Sequence, residues 1–126
     1  MNLPLFLCIL YAALIFYLSS KTSDELSSLP TPDYIAHFIE YFGFGILLFW
    51  WRSKTTVLNK SFLSPAFWQA LLIGAFYGAS DEIHQYFVPG RCTSWHDWFA
   101  DVIGVGVGAL VAMYLIRFVR KGNLNI

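Results

Sequence analysis

Charge is what this sequence has least of. Asp, Glu, Lys and Arg make up 13% of its 126 residues, against about 25% in ordinary soluble domains. The formal net charge is zero, so no basic excess points to nucleic acid as a partner. Cysteine is scarce too: Cys8 and Cys92 are too few for a disulfide scaffold and lack the C-x-x-C spacing of a thiolate metal site. There is no H-E-x-x-H motif, no internal repeat and no low-complexity stretch. No Lys or Arg precedes the first apolar run and no A-x-A-like site follows it, so that run reads as a retained helix rather than a signal peptide. Together these absences exclude a disordered chain, a soluble enzyme and a small disulfide-stapled fold.

What is abundant is apolar: 57% of the residues are hydrophobic and 19% aromatic. Four segments, 3–18, 34–51, 67–88 and 95–118, suit the roughly 20 residues that a helix needs to cross a bilayer. The connections carry helix-start and helix-stop signals. Thr31-Pro32 and Ser64-Pro65 place a cap before a proline at the first helical position. Pro89-Gly90 ends the third segment, and Ser94-x-x-Asp97 has the form of a capping box opening the fourth. The expected fold is all-α, a single domain over 1–126 forming a four-helix transmembrane bundle.

Orientation follows from Lys and Arg. Six of the eight (Arg52, Lys54, Lys60, Arg117, Arg120 and Lys121) fall on one side, which places both termini in the cytoplasm; Lys21 and Arg91 fall on the other. All eight acids (Asp24, Glu25, Asp33, Glu40, Asp81, Glu82, Asp97 and Asp101) then lie in the outer half, with His37, His84 and His96. The positive-inside rule does not account for the acids, which contribute little to topology.

Helical spacing does. Asp33, His37, Glu40 and Phe44 share one face of the second segment, Gly74, Gly78, Asp81 and Gln85 one face of the third, and Asp97, Asp101, Gly104 and Gly108 one face of the fourth. The two G-x-x-x-G pairs allow close helix contact toward the cytoplasm, and the polar halves are expected to open into a cavity on the outer side. Asp33 and Asp97, in first turns, suit the helix dipole, whereas Asp81 and Glu82 occupy its unfavourable end. Their tolerance there requires a cation, a proton, a metal or strong hydrogen bonds. Arg91 is the nearby base, able to pair with Asp81 or Glu82 or to bind an anion bidentately. His84 and His96 read as interface residues.

The run Asp81-Glu82-Ile83-His84-Gln85-Tyr86-Phe87-Val88-Pro89-Gly90-Arg91, with Asp97, Gly104 and Gly108 after it and Asp33, His37 and Glu40-Tyr41 before it, resembles the VanZ-like family of small bacterial membrane proteins. The resemblance spans most of the chain and includes the Ser19-Ser20 step. The sequence departs from the family at Tyr34, where Lys is common, and at Asp101, where Asn is common. The resemblance implies a multi-pass protein of the bacterial cytoplasmic membrane with a cell-envelope role, linked through the founding member to resistance to the glycopeptide teicoplanin.

The candidate polar site is Asp33, His37, Glu40, Asp81, Glu82, Gln85, Arg91, Asp97 and Asp101, with Gly74, Gly78, Gly104 and Gly108 as helix-packing positions. The leading expectation is binding of a lipid-linked or peptidoglycan-related envelope molecule. An enzyme using the same groups for acid–base or metal-assisted chemistry stays open, a divalent metal being compatible with Asp, Glu and His donors. So does a proton-coupled transporter. The expected partners are the bilayer and an envelope lipid or cell-wall precursor; substrate, oligomeric state and any reaction are left open.

Overall fold

The computed structural model describes residues 2–21, 33–55, 63–90 and 94–123. All secondary structure among them is helical: α1 (Leu3–Ser19), α2 (Asp33–Thr55), α3 (Pro65–Tyr86) and α4 (Trp95–Asn123). Thr31, Pro32, Asp24, Glu25, Lys60, Arg91 and Cys92, and the side chain of Asp33, lie outside the described residues.

The ends follow local chemistry. Asn2 caps α1, its side-chain oxygen accepting from Leu5 N–H at 2.9 Å. Pro65 opens α3 behind Ser64, where a missing N–H costs nothing. Pro89 and Gly90 follow shortly after α3 stops, and Gly90 has a φ of 78°, the left-handed turn that glycine tolerates best. Helices α2 and α4 run further than apolar content alone indicates, to Thr55 and Asn123. Their last turns carry Arg52 and Lys54, and Arg120 and Lys121, cations suited to the negative end of a helix.

Two helices, Tyr34–Lys54 within α2 and Trp95–Gly122 within α4, are long and apolar enough to cross a membrane. Helix α1 is apolar but has 17 residues, about 26 Å at 1.5 Å per residue, a little under a hydrocarbon core of about 30 Å. Helix α3 has 22 residues, but its last turns hold Asp81, Glu82, His84 and Gln85. Large apolar side chains stand exposed on all four helices, among them Leu14, Ile39, Phe76, Ile103 and Phe118. That surface suits lipid better than water.

Helix α4 is the hub, packing most extensively on α2 and then on α3, while α1 leans on α2 and touches α3 least. The α2–α4 contact is built from missing side chains. A Cβ on Gly104 would stand 2.6 Å from the Phe38 carbonyl oxygen, and one on Gly108 would run into the Phe42 carbonyl. From the other side, Gly45 meets the Val105 backbone, and Gly74 of α3 accepts the Val105 side chain. The core continues through Tyr41, Phe44, Leu48, Phe49, Ala109 and Met113. Two tyrosines fasten α1: Tyr11 donates to the Glu40 carbonyl at 2.7 Å, and Tyr77 of α3 donates to the Ala12 carbonyl.

Candidate functional site

Each of the three inner helices presents a buried stripe that is apolar or glycine-lined at one end and polar at the other. On α2 the buried stripe is His37, Tyr41, Phe44 and Leu48, at steps of four, three and four. On α3 it is Gly74, Gly78, Asp81, Glu82 and Gln85, and on α4 it is Asp97, Asp101, Gly104, Val105 and Gly108. Because α3 is antiparallel in sequence order to its neighbours' polar starts, the end of α3 meets the beginnings of α2 and α4. The polar ends of all three helices therefore coincide.

His37 and Asp101 form the centre. Their Nδ1 and Oδ1 atoms are 2.7 Å apart, with 3% and 0% of the respective side chains exposed. With the carboxylate ionised, Nδ1 donates the shared proton and Nε2 remains as the other ring position for a proton or a ligand. Gly78 makes room for the carboxylate: a Cβ there would stand 3.1 Å from Asp101 Oδ2. One potential ligand atom from each of His37, Glu82 and Asp101 lies within 4.8 Å of the others. Asp81 accepts from the buried Tyr41 hydroxyl at 3.3 Å. Asp97 and Gln85 are buried as well.

Among the described residues, Glu82 Oε1, Gln85 Oε1 and Asp101 Oδ2 are buried oxygens with no hydrogen-bond partner. A buried acceptor left unsatisfied costs about 1–3 kcal/mol, and more when charged. Three of them on adjoining faces of α3 and α4 are suited to donors or a cation supplied by a ligand.

The capping box expected at α4 takes a different form. Ser94 Oγ accepts from His96 N–H at 3.1 Å rather than from Asp97. The Ser94 N–H, which the box assigns to the Asp97 side chain, donates to Glu82 Oε2 at 3.3 Å. The start of α4 is thus tied to α3, and Asp97 is 6% exposed instead of standing at a solvated helix end. Glu40 is half-buried and its backbone carbonyl receives the Tyr11 hydroxyl of α1, while the close ligand atoms come from His37, Glu82 and Asp101. Arg91 and the Asp33 side chain fall outside the described residues.

Sequence reasoning named Tyr41 within the Glu40-Tyr41 pair but did not place it in the candidate site, although its position one turn after His37 puts it on the same face. Nor did it give a partner to His84. That ring sits 2.8 Å from Ser19 Oγ through Nδ1 and stacks on Phe16 at 4.4 Å, so the Ser19-Ser20 step seats α1 against the polar end of α3.

Beside the cluster lies a groove of about 610 Å³ between the end of α3 and the start of α4. Ile83, Tyr86, Phe87, Trp95 and Trp98 give it an apolar wall, while Glu82 and Ser94 are its polar members. Trp98 is fixed by its indole N–H, which donates to the Ala75 carbonyl at 3.1 Å. The groove thus joins an apolar, aromatic wall to a carboxylate and a serine at its edge.

The model of the VanZ/LLP1 family matches residues 4–118 of the chain. No curated protein and no solved structure matches it.

Proposed function

The chain belongs to the VanZ/LLP1 family, and from that premise we propose that it is a multi-pass protein of the bacterial cytoplasmic membrane that binds an envelope amphiphile, a lipid-linked or peptidoglycan-related molecule. In this reading all four helices cross the bilayer, both termini are cytoplasmic, and the polar ends of α2, α3 and α4 form a site opening toward the outer side. The Lys and Arg distribution supports that orientation. Membership of the family extends the proposal to a part in the envelope's response to glycopeptides such as teicoplanin.

One observation carries the binding reading: Glu82 belongs both to the buried polar cluster and to the wall of the aromatic groove. A molecule lying in the groove thereby reaches unpartnered acceptors without crossing bulk lipid. Hydroxyl, amide and ammonium groups, as on sugars and peptides, are the donors that those oxygens require. Arg91, three residues before Ser94 in sequence, is proposed as the anion contact at the rim.

Trp95 and Trp98 report directly on the groove. Adding a polyprenyl phosphate to the purified protein in detergent is expected to change tryptophan fluorescence saturably. Glu82→Gln is expected to weaken this binding about tenfold, or about 1.4 kcal/mol, the scale of one hydrogen bond to a charged group. A change that grows linearly with lipid and is identical in the variant would contradict the reading.

A further inference from the structure

The polar cluster poses an electrostatic problem that an envelope lipid by itself does not solve. Glu82 and Asp101 are 9% exposed or less, and among the described residues the basic group paired with Asp101 is the His37 imidazole. Each of these two carboxylates keeps one oxygen without a hydrogen-bond partner, which is costly in such a setting. A phosphate-bearing head group would add negative charge to the same place. A bound cation answers both difficulties.

We propose that His37, Glu82 and Asp101 form a binding site for one divalent cation of borderline character, with zinc the best fit. Their ligand atoms come from three different helices and lie within 4.8 Å of one another. In a tetrahedral zinc shell with bonds of about 2.0–2.1 Å, ligand atoms stand about 3.3 Å apart, so closing the site takes side-chain movements of about 1.5 Å or less. The second observation is independent of the clustering. Asp101 is fully buried, yet its Oδ2 has no hydrogen-bond partner, and neither does Oε1 of Glu82. Both are oxygens of carboxylates that belong to the group, and a carboxylate oxygen left without a donor is what a cation requires.

The donor set selects the metal. Magnesium and calcium take oxygen shells, whereas an imidazole nitrogen with two carboxylates favours zinc or manganese. Three protein donors leave a position open for a further ligand. Glu82 is the donor that also lines the groove, so the open position is accessible to a head group arriving there. The cation site stands on the geometry of the cluster alone and does not depend on the lipid reading.

The test uses the full-length protein in mild detergent, stripped with a chelator, equilibrated with zinc alone, passed through a desalting column and assayed for metal. Wild type is expected to retain one zinc ion per chain. His37→Gln and Glu82→Gln are each expected to weaken zinc binding by at least about tenfold, the scale on which metal sites respond to a lost supporting group. His96→Gln, at an exposed position beside the cluster, is expected to retain it. Cobalt supplies a readout that does not depend on the variants, since a mixed nitrogen–oxygen site gives visible absorption bands in wild type that zinc abolishes. Wild-type protein that holds no zinc and gives no cobalt bands would overturn the proposal. So would zinc retained equally by both Gln variants.

Discussion

Gly108→Ala is expected to melt far below wild type while Gly106→Ala, two residues away on the same helix, melts with it. Both changes add one methyl group to α4 and both raise intrinsic helix propensity. They differ in what the methyl meets. At Gly108 it would run into the Phe42 carbonyl and lie 3.2 Å from Ile46 N, backbone atoms of a neighbouring helix that have no rotamer to change. At Gly106 the nearest atom is Leu71 Cδ1 at 3.7 Å, an ordinary contact. Relief at Gly108 requires moving α4 away from α2, the largest contact in the bundle. The cost is placed at the upper end of overpacking effects, about 3 kcal/mol, with less than about 0.5 kcal/mol at Gly106. Thermal unfolding in detergent, followed by circular dichroism, reads both. Equal melting temperatures for the two variants would mean that α2 and α4 do not approach as described.

The second large effect is at His37. Replacing it with Ala removes the partner of Asp101 Oδ1 and leaves a fully buried carboxylate whose Oδ2 is already unpartnered. Breaking a buried pair from one side costs about 3–5 kcal/mol, because the remaining group stays desolvated without compensation. His84→Ala is the comparison. It removes the contacts to Ser19 and Phe16, but at a half-buried position, where about 1 kcal/mol is expected. The double variant His37→Ala/Asp101→Ala is expected to recover part of the loss, since no orphaned carboxylate remains. Denaturant unfolding of the three proteins measures this directly. A His37→Ala protein as stable as His84→Ala would remove His37–Asp101 from the centre of the site.

Much of this arrangement was legible in the sequence because period and chemistry agreed. The stripes Gly74, Gly78, Asp81, Gln85 and Asp97, Asp101, Gly104, Gly108 are buried as their spacing implies, since residues three or four apart share one face of a helix. Contacts between helices were not legible. Helical spacing places Glu40 on the His37 face, yet the interior position one turn from His37 belongs to Tyr41, four residues on rather than three. The Ser94-x-x-Asp97 signal correctly marked a helix start. It could not reveal that Glu82, twelve residues earlier, takes the Ser94 N–H. His84 lacked a partner for the same reason, its neighbours Phe16 and Ser19 being on the first helix. Each of these contacts is set by how separate helices dock, which local patterns do not encode.

That the buried polar cluster is a ligand site is tested most directly by native mass spectrometry of the protein released from its own membrane in mild detergent. Wild type would be measured beside Glu82→Gln and Asp101→Asn, which keep the shape of the side chains and remove their charge. A bound envelope amphiphile on wild type that both variants lose is the predicted result. The same nonspecific lipids, in the same amounts on all three proteins, would contradict it.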